Sequence, residues 1–405
     1  MRLKKLTVAA SIAAGFAAPA LAQNVQIYGK LYPYLLQERG SGPTAAGTPV
    51  ATFAGTPTGT SGVGKVVGMQ AGNSRLGFRG SEDLGGGMKA LFQLEGVASV
   101  DDGTGNGDGA FQFNRNTFVG LKGGFGTVKL GNLDTIFKEY GDALGILGIS
   151  SGTFLSSSDV LRKTGFGTSS ASSFHLRRAN SIQYESPEVA DFTFGLQYST
   201  DEAPSAENKE PKLWSAGVRY ENGPWYVSLA HERHRDFFGG SRNVRSGLRN
   251  NGATTNSHST DSATQLAVVY EVLKGHKLEF DIIRKSYSEE QALAGRFSSY
   301  RNMAYMFAFE NRWTPQWTTA GHIVRASRGT CSLNSAAPCS TDGLEATKYT
   351  LAAGYNLSKR TMLFGAFSLI KNGKSARFSN AEFNSSEPAP GEDIRQLAIG
   401  ISHSF

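Results

Sequence analysis

Apolar and polar residues alternate with a period of two along the whole chain, and that pattern commits it to β-strands rather than helices. In Met88 to Gly96 one face reads Met88, Ala90, Phe92 and Leu94, and the other carries Lys89, Gln93 and Glu95. Near the C-terminus Leu397, Ile399 and Ile401 alternate with Ala398, Gly400, Ser402 and Ser404. A strand standing between lipid and a wet lumen needs one apolar face and one polar or small face, because hydrocarbon cannot satisfy polar groups and pore water can. A soluble β-sandwich alternates too, so the connections have to separate the two. The 49 Gly and 13 Pro suit strands joined by tight turns better than long helices.

Short and long connections follow one another strictly. The short ones are Ser81 to Gly87, Gly123 to Gly126, Ser186 to Asp191, Glu221 to Pro224, Leu273 to His276, Thr314 to Trp317 and Leu357 to Arg360. Polar stretches rich in Gly, Ser and Asn lie near 39–64, 99–111, 135–174, 200–211, 235–260, 287–298, 327–344 and 372–391. A sandwich has no reason to put every long loop at one end. Fifteen such connections imply about 16 strands, an even number as single-chain bacterial barrels require. The expected fold is all-β: a transmembrane antiparallel barrel with long extracellular loops and short periplasmic turns.

The first residues carry Arg2, Lys4 and Lys5, then an apolar run from Leu6 to Ala18, then Pro19-Ala20-Leu21-Ala22. This reads as a secretory signal peptide over 1–22, leaving 23–405 as one barrel domain. Beyond it no stretch approaches the roughly 18 apolar residues of a spanning helix, and mean hydropathy is −0.28. Without the three leader cations, 41 Lys and Arg become 38 against 34 Asp and Glu. So mild an excess, with no long basic run, gives no sign of nucleic-acid binding. Cys331 and Cys339 stand close together in a loop-like segment, and in an exported chain that spacing suits a small disulfide loop.

Signals of catalysis or cofactor binding are weak. His231-Glu232-Arg233-His234 lacks the helical zinc spacing and reads as a strand entering a loop. Asp101 to Gly109 has the composition of a calcium loop, but Gln112 stands where a closing Glu is expected. No nucleophile elbow or dinucleotide loop occurs, so no catalytic residue, metal or cofactor is assigned, although a triad assembled only in space would not show.

The run Gly72-Asn73-Ser74-Arg75-Leu76-Gly77-Phe78-Arg79-Gly80-Ser81-Glu82-Asp83-Leu84-Gly85-Gly86-Gly87, continuing to Glu95, resembles the general diffusion porins of Gram-negative bacteria, of neisserial and burkholderial type. So do Asn114 to Lys122, Asn180 to Pro187, Tyr355 to Thr361 and the terminal Ser402-His403-Ser404-Phe405. The resemblance implies an outer-membrane homotrimer of 16-stranded barrels, set among outer-membrane lipid and lipopolysaccharide, with Phe405 as an assembly signal. It implies that the third loop, about Thr135 to Phe174 and including Tyr140 to Gly145, folds inward and narrows the lumen.

In such porins an arginine ladder on the wall faces acidic groups on that loop. Arg75 and Arg115 match ladder positions, Arg177 or less closely Arg178 matches a third, and Asp142 falls on the loop. Arginine suits the role because it stays charged and its planar donors hold carboxylate or phosphate. Lys30 and Lys89 extend the basic stripe or simply face solvent. This chain departs from the pattern at Asn132, where many relatives carry arginine, and in a third loop poor in acid beyond Glu139, Asp142 and Asp159. The expectation is a passive channel that prefers small anions, or that passes amphiphilic organic acids over an apolar lip formed by Ile146 to Leu155. A channel specific for organic acids and, further off, an outer-membrane barrel enzyme are the alternatives.

Overall fold

A computed structural model describes residues 25–104, 112–141, 143–167, 169–200, 209–250, 257–290, 293–335, 337–383 and 387–405. The leader read over residues 1–22, most of the calcium-like segment and Asp142 lie outside them.

Sixteen strands form one closed antiparallel sheet. In chain order they are β1 (Gln26–Leu31 and Tyr34–Ser41), β2 (Lys65–Gln70 and Arg75–Gly85), β3 (Met88–Val97), β4 (Thr117–Gly123), β5 (Gly126–Asp134), β6 (Arg177–Glu185), β7 (Phe192–Thr200) and β8 (Lys212–Asn222). They continue as β9 (Trp225–Arg235), β10 (Ser259–Leu273), β11 (His276–Glu289), β12 (Phe297–Arg312), β13 (Trp317–Ala326 and Thr330–Leu333), β14 (Ala346–Asn356), β15 (Thr361–Asn372) and β16 (Asp393–Ser404). Each pairs with its sequence neighbours, and β16 closes on β1 through Gly400 opposite Tyr34 and Leu31 opposite His403. Closure leaves no sheet edge to expose unpaired backbone.

Three strands are interrupted, β13 between Ala326 and Thr330 and β1 and β2 beside each other. At Tyr32-Pro33 the chain supplies a carbonyl to Ile401 but no ladder donor, since proline has no N–H. Opposite it, β2 breaks over Ala71 to Ser74. The first turn is shorter than the sequence suggests. Glu82 and Asp83 still pair with Ala90 and Lys89, so only Gly86 and Gly87 bridge the strands, both at positive φ that glycine adopts without strain.

Wall height differs around the barrel. β4 has 7 residues and β5, β6 and β7 have 9 each, whereas β10, β11 and β12 have 15, 14 and 16. All four tryptophans lie between 214 and 317 in the chain; Trp225 packs on Tyr270 and Trp317 on Tyr355, as in an interfacial aromatic girdle.

The lumen is partly filled. Phe53 of loop 1 (residues 42–64) and Phe166 of loop 3 (residues 135–176) pack with Phe297 and Tyr300 of β12, centroids 4.8 to 5.4 Å apart. Leu344, Phe378, Val244 and Leu248, from loops 7, 8 and 5, join the same buried cluster. Aromatic groups of this size dominate a core's burial energy, so they fix the loops against the β10 to β14 wall.

Candidate functional site

Loop 3 starts as helix α1 (Ile136–Gly141), which lies across β7 to β9. Its first amides donate to Gln197 and Ser215, at 3.2 and 2.8 Å, and the Tyr140 carbonyl accepts from Tyr226 and Ser228, at 2.6 and 2.8 Å. The loop then crosses the lumen. The Leu144 amide meets Glu279 of β11, the Gly148 carbonyl accepts from Lys30 Nζ of β1 at 2.8 Å, and the Ser151 carbonyl accepts from Asn73 at the break in β2 at 2.9 Å.

The return limb is held by fully buried wall cations. Lys348 Nζ donates to Phe154 and Ser156 and pairs with Asp159 at 2.8 Å. Lys285 Nζ donates to Leu161 and Lys163, and Arg162 of the loop bonds Gln265 and the Gly141 carbonyl. Charge-assisted bonds of this kind are the strong ones, and buried carbonyls satisfied by them do not let go cheaply. Loop 3 therefore meets the wall from β7 round to β2, and the opening that remains is bordered by β1 to β6.

On that border Glu95 of β3 collects three groups. Arg115 Nε lies 2.6 Å from it, Arg75 Nε 3.7 Å and the Tyr28 hydroxyl 2.9 Å. Arg115 also donates to Asn73, whose amide holds loop 3. A second cluster forms at Asp134, which takes Arg177 at 3.0 Å and Lys138 at 2.8 Å, with Asn116 bridging. Each cluster has two cations to one carboxylate. Lys30 stands opposite Arg75 in register, and Arg79, Lys89, Lys122 and Lys129 continue the same inward face. Against these nine cations stand Glu95 and Asp134, with Asp83 and Glu185 toward the short turns.

Several sequence readings change in the structure. Arg75 and Arg115 come together on Glu95 of the wall, which reads in the sequence as one more polar-face residue, while the expected loop acid Asp142 lies outside the described residues. Asp159 is committed to Lys348 and Lys163, away from the opening. Arg178 leaves the ladder: its guanidinium stacks on Phe237 at 4.8 Å, beside a 170 Å³ cavity near Pro211 and Arg242. The apolar lip is not a lip. Ile146, Leu147, Ile149, Phe154 and Leu155 are buried against Tyr34, Leu36, Ala320, Ala352 and Phe364 of the wall, because an apolar run in a wet lumen gains most by turning to the sheet. The Cys331 and Cys339 sulfurs are bonded to each other, and the loop they close packs on the aromatic cluster. Phe405 exchanges backbone hydrogen bonds with Gly29, at 3.1 and 3.2 Å, on the closing seam.

Glu139 on α1 borders a 490 Å³ cavity with Leu144, Arg219, Tyr226 and Lys277. Burial pushes its carboxyl up to about 7. His231 and His234 point to opposite faces of β9, and among the described residues no three His, Cys, Asp or Glu side chains converge as a metal site needs.

Known proteins resemble the chain in the same terms. A family profile described as Gram-negative porin matches residues 7–375. The major outer membrane protein P.IB of Neisseria meningitidis is 35% identical over 181 residues, 43% of this chain and 49% of that protein. Its counterpart from Neisseria lactamica is 36% identical over 179 residues, 42% of this chain and 48% of that protein. The chain thus spans about half the length of the curated relatives it matches. Among solved structures, an anion-selective porin from Comamonas acidovorans superposes with a TM-score of 0.69 at 23% identity, over 95% of this chain and 100% of that one. A trimer form of OmpT from Vibrio cholerae superposes at 0.59 with 15% identity, over 95% and 100%.

Proposed function

The chain belongs to the Gram-negative porin family, a family of outer-membrane barrels, and on that premise we propose that it is a passive diffusion channel for small hydrophilic solutes, preferring anions, rather than an enzyme. The observation that carries the reading is the β1 to β6 wall. Where loop 3 leaves the lumen open, two clusters, Arg75-Arg115-Glu95 and Arg177-Lys138-Asp134, each keep one uncompensated positive charge. In a narrow, low-dielectric passage each fixed charge acts strongly on a permeating ion. Small anions fit this better than amphiphilic acids, since the apolar segment of loop 3 is turned to the wall. A channel specific for organic acids is the second reading, supported by aromatic faces beside the cations, Tyr28 under Arg79 at 4.7 Å and Phe118 under Lys129 at 5.5 Å.

The long loops face outward and the short turns the periplasm, with residues 1–22 as the export leader. The working unit is a homotrimer. Seven residues in β4 reach roughly 16 Å once tilted, short of the ~25 Å apolar band of such barrels. This low sector needs protein beside it, and Leu94, Val119, Leu121, Leu130 and Ile182 give it an exposed apolar face to meet a second copy. Elsewhere the barrel meets outer-membrane lipid and lipopolysaccharide.

The test is the reversal potential of the refolded protein in a planar bilayer under a salt gradient. Anion sign is expected, and Arg75→Gln with Arg115→Gln should abolish or invert it by leaving Glu95 uncompensated. Cation sign in the wild type, or an unchanged potential in the double variant, would sink the assignment.

A further inference from the structure

Between the returning limb of loop 3 and loop 8 (residues 373–392) lies a cavity of 320 Å³, inside the range of roughly 300–1,000 Å³ that small-molecule sites occupy. It stands on the long-loop side of the opening. At one end Glu382 accepts from the Tyr34 hydroxyl of β1, and at the other His175 and Leu176 lead into Arg177 of β6. Its lining differs in kind from the arginine wall. Six of the described residues that border it carry a hydroxyl, and three of those hydroxyls have donors left to give. The Ser173 and Ser379 oxygens each accept a backbone amide, from His175 and Ala381 at 3.1 Å, which leaves their O–H protons unspent, and the Ser170 hydroxyl makes no hydrogen bond among the described residues. Asn380, only 6% exposed, gives its amide protons to Phe154 and Ser368 and keeps an Oδ1 that no described donor meets. Charge is nearly balanced: Asp159 is shared between Lys348 and Lys163, and burial pushes the Glu382 carboxyl up to about 7.

We propose that this cavity is a binding subsite for neutral polyhydroxylated solutes, saccharides of one or two rings, held at the outer mouth of the passage before they diffuse through. The ligand class follows from the hydrogen-bonding groups. A sugar hydroxyl both donates and accepts, so its oxygens take the unspent serine protons while its own protons go to the carboxyl of Glu382 and the amide oxygen of Asn380. A small anion offers acceptors alone and meets two carboxylates here; it belongs on the Arg75 and Arg115 wall. An apolar solute would leave the serine donors and the Asn380 oxygen unpaired, and unpaired polar groups shut away from water are costly. The inference rests on the reading of the barrel as a diffusion channel and deepens it by naming a class of solute that the channel retains.

Saturation-transfer NMR on the folded protein, in a detergent without sugar headgroups, tests it, with sucrose as probe and a polyethylene glycol of the same hydrodynamic radius as size control. The wild type should give a saturable signal with sucrose and none with the polymer. Ser170→Ala with Ser379→Ala removes two donors, so the half-saturating sucrose concentration should rise about tenfold. Sulfate at the sugar's concentration should not compete. No saturable signal from sucrose, an equal one from the polymer, an unchanged half-saturating concentration in the variant, or displacement by sulfate would each overturn the proposal. The comparison of sucrose with the polymer on the wild type decides the matter even if the variant does not fold. Binding is read here without conduction, so a protein that conducts but holds no sucrose loses this site alone, whereas one that holds sucrose and conducts nothing keeps the site and loses the channel reading.

Discussion

The wall from β10 to β14 and the wall from β1 to β6 both point cations into the same lumen, yet the cations do opposite things. On the first, Lys285 and Lys348 are fully buried and donate to carbonyls of loop 3, and aromatic residues of loops 1 and 3 pack on the same wall at Phe297 and Tyr300. On the second, the Arg75 side chain keeps 28% of its surface exposed and shares one carboxylate with Arg115. A buried charge that has spent its hydrogen bonds is part of the frame, whereas an exposed one left over from its cluster creates a field that a passing ion meets. Sign of charge and strand face are alike on the two walls. What separates them is whether a loop has covered the charge.

Three perturbations would sharpen or break this contrast. The largest effect is expected on the covered wall. Lys348→Met removes three charge-assisted bonds at once and leaves Asp159 and two carbonyls short of partners, so the barrel should lose about 3 to 5 kcal/mol of stability, read as a lower urea midpoint in detergent. Its open-channel current should become noisier as loop 3 loosens, while the sign of the reversal potential is kept. A selectivity change as large as that of the Arg75 and Arg115 double variant would erase the distinction between the walls.

On the open wall the informative change is Glu95→Gln. Removing the one acid between two arginines should raise the anion-to-cation permeability ratio by about threefold, the scale of one partly screened charge beside a wet passage. A fall in the ratio would mean that Glu95 acts mainly by positioning Arg115.

The smallest effect is a pH response at the joint between the walls. Glu139 has its folded value raised to about 7 by burial, above its ordinary value of 4.5. Its contribution to stability is therefore full below 4.5 and lost as pH rises through about 7. In the same window the ionised carboxylate adds negative charge beside Arg219, so anion preference should decline. Reversal potentials from pH 5 to 8 should drift in the wild type and stay flat in Glu139→Gln; equal drift in both would place the titration elsewhere.

Much of the frame was legible in the sequence because alternation and turn residues act locally. Met88 to Val97 and Asp393 to Ser404 read as strands on their face pattern alone, and the short turns after Gly123, Glu221 and Leu273 fall where Gly, Pro and Lys interrupt it. The pairing that makes a site is not local. Glu95 gains its meaning from Arg115, twenty residues on, and from Arg75, twenty back, through a register the alternation cannot fix. Lys348 reads as an ordinary inward lysine until loop 3, almost two hundred residues earlier in the chain, returns to it. The apolar residues between Ile146 and Leu155 lie away from the expected lip for the same reason: an apolar run shows that it will hide from water but not against which wall.

The seam between Gly29 and Phe405 carries one more consequence. Every other neighbouring pair of strands is joined by a connection of modest length, whereas this pair is joined only through the rest of the molecule. The chain entropy lost on bringing two points together grows with the length of chain between them, and contacts of high sequence separation are the ones that slow folding. Fifteen hairpin-like steps could each advance without that long-range search, but the cylinder exists only once its most distant partners meet, so the slow event in its assembly is a matter of topology rather than of any one side chain.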